Sequence, residues 1–298
     1  MIIFLESVCR DKVWGGTKIR EKYGFKDATE KTGEVTLLSG LPGVETIIKN
    51  GEFKGKNINE LFRDYKYLFG ELEGDIFPLV CKIINAQQDL SLQVHPSDNY
   101  AYKHHNCAGK EECWYVLDAK ENSKIVVGHQ AKTKAELKER ILNRQWDQLV
   151  TKIDFKAKDF IYIPAGAIHS VPKDTMLLEL AQASDITYRI HDYERDQVDR
   201  PLHTEEALLV AKVPYEYTKL SYDDPLQLVD NDYFNAVILN IDKPTIKEQT
   251  SNFTFGFVLK GEGTVNDEVI KEGDIFLIPA INSFVYYNGN MELFLTSK

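Results

Sequence analysis

The amino-acid sequence predicts a mainly β protein made of two related jelly-roll units with a few packing helices, the jelly-roll type resting on three observations. Eleven short apolar runs, bounded by Gly, Pro, Asn and Asp, follow one another at the spacing of strands in a sandwich or barrel. Two segments, KDFIYIPAGAIHSV (158 to 171) and GDIFLIPAINSFVY (273 to 286), align residue for residue around a shared Asp, four residues and Pro-Ala. Upstream of each lies a second similar pair, ECWYVLDAKENSKIVV (112 to 127) and TFGFVLKGEGTVNDEV (254 to 269), which share Val-Leu and a polar turn. Two copies of one β unit is the economical reading.

The strands follow in order. PLVCKII (78 to 84), LSLQVH (90 to 95), CWYVLD (113 to 118), KIVVG (124 to 128), FIYIPAG (160 to 166) and MLLELAQ (176 to 182) form the first unit. YFNAVIL (233 to 239), FTFGFVLKG (253 to 261), DIFLIPA (274 to 280), SFVYYN (283 to 288) and MELFLT (291 to 296) form the second. We place the units at 1–219 and 220–298. Helices are few. Asn57 and Glu60, and again Thr133 and Glu136, have capping-box spacing ahead of apolar residues, and Thr204 opens a third helix that Pro214 helps to end. Leu137, Ile141 and Leu142 fit an amphipathic stripe laid on a sheet, so that stripe is assigned no chemistry.

Composition narrows the function. With 298 residues, 43% of them apolar, the chain can bury a large core. A net charge of -10 without basic blocks argues against nucleic acid and anionic membrane as partners. The first residues, MIIFLESVCRDK, hold too short an apolar run for a signal peptide, and a cytoplasmic location is expected. Four cysteines lack CxxC spacing. Cys81 and Cys113 sit inside apolar strands as small hydrophobes, and all four are expected reduced.

LQVHPSDN (92 to 99) carries the first sign of chemistry. In a strand, Gln93 and His95 point to the same face. A metal bound by oxygen and nitrogen needs such side chains converging from separate strands, and Gln93, His95, Glu112 and His169 meet that description. The aligned second unit has Thr254 opposite Glu112 and Phe284 opposite His169. Maintaining the fold therefore needs neither residue, which favours a metal site in the first unit alone. Phe284 is expected to close a core, and the second unit to pack against the first.

The Asp-x4-Pro-Ala-Gly-x-x-His segment is similar to the second cupin motif. LSLQVHPSDNYA, GKEECWYVL and LELAQASDITYRIHDYERD, in that order, resemble type I mannose-6-phosphate isomerases of the short bacterial kind, from DKVWGG at residue 11 to RPLH at residue 200. The resemblance implies a metal, usually zinc, one per chain, on Gln93, His95, Glu112 and His169. It also implies a substrate phosphate near Lys82 and Ser91, and reaction residues Lys110, Glu179 and Arg189. Two departures stand out: Thr36 where the family commonly has the Trp of GE-x-W, and Lys158 where a Gly usually precedes the motif Asp.

The implied reaction interconverts mannose 6-phosphate and fructose 6-phosphate through an enediol or enediolate. It moves a proton between neighbouring carbons and needs the negative oxygen stabilised, which suits a carboxylate beside cations and a Lewis acid. Two rivals stay open on sequence. An iron-dependent cupin oxygenase would more usually offer several histidines; a sugar-phosphate sensor would keep the pocket without turnover. The partner is a small sugar phosphate, and monomer and homodimer both remain compatible.

Overall fold

The computed structural model describes all residues except 196–199, 221–225 and 251. Its described residues form three antiparallel sheets in layers. The central sheet has six strands in the order Val8–Asp11, Thr32–Leu38, Leu79–Ala86, Thr175–Gln182, Glu112–Ala119 and Phe160–Ile163. Facing it is a five-stranded sheet in the order Tyr188–His191, Leu92–Val94, His169–Ser170, Lys124–His129 and Val150–Asp154. The third sheet, eight-stranded, contains Gln227–Asp230, Asn235–Ile241, Phe253–Val265, Ile275–Pro279 and Phe284–Ser297, and its edge is completed by Ile3–Phe4 from the amino terminus.

Period-two alternation makes the central sheet two-faced. Ile84, Trp114, Val116 and Leu177 point inward, where they meet Ile125, Val127 and Val171 of the facing unit. Cys81, Ile83, Cys113, Leu178 and Leu180 point the other way, into a core shared with Phe253, Phe255, Phe257 and Phe294 of the third sheet. The C-terminal unit thus packs on the outer face of the central sheet, as expected. Cys81 and Cys113 are buried and all four thiols are free.

The internal repeat extends to its hydrogen bonds. Asp159 and Asp274 each accept from the amide three residues earlier, Lys156 at 2.8 Å and Lys271 at 2.9 Å. The Val116 amide donates to the Asp159 carbonyl and the Lys158 amide to the Val116 carbonyl; Val258, Asp274 and Gly273 repeat both bonds. This hairpin geometry needs a left-handed residue before the motif Asp. Gly273 adopts φ 89° freely, while Lys158 holds φ 71° against its own Cβ and reaches Glu292 of the C-terminal unit at 3.1 Å.

The three helix starts are as expected, while Leu142, the last two strands and Phe284 are corrected. Asn57 and Glu60 form the full capping box at Ile58–Asp64, and Thr133 caps Lys134–Leu142. Leu137 and Ile141 are buried, but Leu142 is 63% exposed, one residue past the buried stripe. The third helix, Thr204–Val210, opens at Thr204 as expected. SFVYYN and MELFLT belong to one strand, Phe284–Ser297, because Asn288-Gly289-Asn290 pairs with Glu262–Thr264 instead of turning. Phe284 is 52% exposed rather than buried: at that point its strand pairs with the edge strand Thr245–Glu248.

Candidate metal centre and active site

The two facing sheets of the first unit bring the predicted residues together. Glu112 opens its strand of the central sheet; on the same sheet Lys82 lies opposite Glu179, which lies opposite Trp114. From the five-stranded sheet, Gln93 lies opposite both His169 and Arg189, and His95 follows one residue after that strand. Residues spread from 82 to 189 therefore meet across one narrow gap. Alternation selects the inward face, and antiparallel register sets the depth.

His95, Glu112 and His169 are fully buried, with their ligand atoms all within 4.8 Å of one another. The His95 Nε2 is 3.5 Å and the His169 Nε2 3.3 Å from the Glu112 carboxylate. Each imidazole is oriented by its other nitrogen: His95 Nδ1 donates to the Ile186 carbonyl at 2.7 Å, and His169 Nδ1 to the Ala167 carbonyl at 3.0 Å. A carbonyl can only accept, so the proton sits on Nδ1 and leaves an Nε2 lone pair facing Glu112. Burial holds both imidazoles below their ordinary pKa, His95 down to about 4, so both are neutral at neutral pH. Glu112 Oε1 is buried without a hydrogen-bond donor. Two neutral imidazoles and an unsatisfied carboxylate oxygen are the donor set a divalent cation requires, and the residues present fit one. Gln93 completes the ring, its amide 3.2 Å from His169 Nε2; rotation about its terminal bond offers the amide oxygen at the same point.

Lys110 sits beside this ring, only 6% exposed. Its ammonium donates to Glu112 at 2.5 Å and to Glu179 at 3.3 Å. Burial alone would lower its pKa, but the two carboxylates outweigh that and keep it protonated. Burial would likewise raise the Glu112 carboxyl, yet Lys110 and then the two imidazoles hold it well below the usual carboxylate range.

From there a cleft of about 220 Å³ runs between the sheets. Lys82, Ser91, Gln93, Lys110, Glu179 and Arg189 all line it. The fully buried His95, Glu112 and His169 lie behind this lining, with Trp114 packed edge-on to His169 at 5.4 Å. Ser91 donates to the Gln93 oxygen at 3.3 Å. Arg189 lies in the strand Tyr188–His191. Its Nη1 donates to the Pro201 carbonyl at 2.9 Å, and the buried Nε has no partner.

Other cleft residues were not singled out from sequence: Arg10, Lys12, Trp14, Glu34 and Arg200. Lys12 pairs with Glu34 at 3.0 Å. Burial would raise the Glu34 carboxyl, and Lys82 followed by Lys12 brings it below its ordinary value. Lys12 and Glu34 stand in DKVWGG and GEVT, and nothing in either segment shows that it faces the cleft until Val8–Asp11 and Thr32–Leu38 join the central sheet. His104 and His105 fall in a helix, Asp98–His105, rather than a loop. A larger hollow of about 560 Å³ lies on the C-terminal sheet, and no metal-type cluster accompanies it among the described residues.

Fold and site together define a two-cupin protein in which one unit has kept a buried His, Glu, His centre opening on a cation-lined cleft. Residues 2–128 match the phosphomannose isomerase type I catalytic domain. The chain is 36% identical over 293 residues to a probable mannose-6-phosphate isomerase of Bacillus subtilis, covering 93% of each. It is 35% identical over 304 residues to the mannose-6-phosphate isomerase of Streptococcus mutans, covering 98% of this chain and 96% of that protein. The crystal structure of the Bacillus subtilis mannose 6-phosphate isomerase superposes with a TM-score of 0.94 at 34% identity, covering 100% of this chain and 99% of that one. The apo phosphomannose isomerase of Salmonella typhimurium shares the fold, with a TM-score of 0.80 at 15% identity, covering 100% of this chain and 99% of that one. The chain belongs to the type I phosphomannose isomerase family and is an isomerase.

Proposed function

We propose that this chain interconverts mannose 6-phosphate and fructose 6-phosphate through an enediol or enediolate, with one zinc ion held by Gln93, His95, Glu112 and His169. The observation that carries the reading is the buried Lys110 ammonium joining Glu112 of the metal-type centre to Glu179 at the cleft wall. A zinc ion there supplies Lewis-acid polarisation of the sugar's carbonyl and hydroxyl oxygens. Lys110, kept protonated by two carboxylates, donates to oxygen rather than taking a proton from carbon. Glu179 is left as the base that shuttles the proton between the two carbons, and Arg189 offsets charge developing on oxygen. Lys82 and Ser91 bind the phosphate, whose binding energy positions the reacting carbons.

The reading divides the chain into a catalytic unit, 1–219, and a packing unit, 220–298, to which the amino-terminal strand is lent. The free cysteines support a reducing compartment such as the cytoplasm. No helix among the described residues is long and apolar enough to cross a membrane. The deciding experiment is coupled-assay turnover of mannose 6-phosphate, which chelation should abolish and zinc restore. Zinc-loaded protein that leaves this sugar unchanged overturns the assignment.

A further inference from the structure

Resting on the sugar-phosphate reading above, we propose that Arg200, fixed in place by Asp192, is a further phosphate-binding residue, gripping the substrate dianion from the side of the cleft that faces Lys82. Asp192 follows the strand Tyr188–His191 and is 1% exposed. Its two oxygens accept from Arg200 Nε at 2.7 Å and Nη2 at 3.0 Å. This two-point fork fixes the guanidinium plane as a single bond could not. Although held from behind in this way, Arg200 lines the cleft with Arg189, Ser91 and Lys82.

Among the described residues that line the cleft, cations outnumber carboxylates. Asp192 also takes Arg195 at 3.3 Å, so one buried carboxylate serves two guanidiniums, and among the described residues Arg189 forms no ion pair. Arg195 is not among the cleft-lining residues and ties to the Asp89 carbonyl at 2.6 Å and the Gln88 side chain at 3.4 Å. The Arg189 guanidinium is pulled below its ordinary pKa by burial and next by the neighbouring Arg200. Holding like charges together at a partly buried wall is costly unless an anion arrives between them. Lys82 extends from the central sheet and the two arginines from the other side, so a phosphate between them meets cations on both flanks. Asp192 touches no substrate; it is a positioning residue.

The test measures inorganic phosphate binding by calorimetry, and KM for mannose 6-phosphate, on zinc-loaded wild type, Arg200→Gln, Arg200→Lys and Asp192→Asn. Loss of a charge-assisted contact predicts that Arg200→Gln raises the phosphate dissociation constant and KM together by roughly ten- to a hundredfold. Arg200→Lys recovers part of the loss, and Asp192→Asn shows a smaller rise of the same kind. If Arg200 only pins its loop, phosphate affinity stays within about twofold of wild type in the folded variants, and the proposal falls. Phosphate binding is read without turnover, so a wild type that binds phosphate through Arg200 yet fails to isomerise would refute the isomerase reading and leave this one standing.

Discussion

Removing the charge of Lys110 while keeping its length, Lys110→Met, tests the electrostatic keystone of the site. Its ammonium is the bonded counter-ion of Glu112 at 2.5 Å and of Glu179 at 3.3 Å, and Glu112 is fully buried. Without it, the two carboxylates lose their shared counter-ion. Breaking a buried pair from one side costs about 3–5 kcal/mol. Unfolding entropy near 2.1 cal/mol/K per residue gives this chain about 0.6 kcal/mol/K, so the metal-free variant should melt roughly 5–8 °C below wild type. The assay is thermal unfolding by circular dichroism after chelation, repeated with zinc. Zinc should narrow the gap, because a bound cation takes over the compensation of Glu112. Turnover should fall by at least about a hundredfold in either case, since donor and base orientation are lost together. A metal-free melting point within about 1 °C of wild type would refute the pairing.

Other predictions follow from the same geometry. The metal-free protein should lose stability as pH falls below about 6.5, because the unfolded chain then binds protons that His95, with its pKa lowered to about 4, refuses; the loss from His95 alone approaches about 3 kcal/mol by pH 4. Glu112, also depressed when folded, adds to the loss at still lower pH, and urea titrations from pH 7.5 to 4.5 would expose any opposite trend. Thr36→Val should leave stability unchanged or raise it by about 1 kcal/mol, since the buried Thr36 hydroxyl has no partner; a clear drop in urea midpoint would show that it has one. Asn57→Ala should cost about 1 kcal/mol by removing the full capping box, measurable in the same titration.

The parts of this molecule legible in the sequence were those set by local pattern. Alternation placed most strands, and the Asp-x4-Pro-Ala repeat foretold two hairpins with matching hydrogen bonds. Glu112 and His169 stood out because the second copy lacks them. What alternation could not show was pairing across sheets. SDITYRIHDYERD is rich in charge and reads as no strand, yet antiparallel register with Gln93 makes one of Tyr188–His191. Glu34 and Lys12 gave no signal of their own; only when Thr32–Leu38 and Val8–Asp11 join the sheet that carries Lys82 do they reach the cleft. Phe284 read as core because an aromatic side chain replaces the histidine of the first unit; only the added edge strand Thr245–Glu248 explains its exposure.

The central claim is that one buried metal centre serves the isomerisation. Metal content and mannose 6-phosphate turnover measured on the same preparations of wild type and His169→Ala test it most directly. The account predicts about one zinc per wild-type chain with turnover, and both lost in the variant. A variant that loses zinc but keeps wild-type turnover would contradict it.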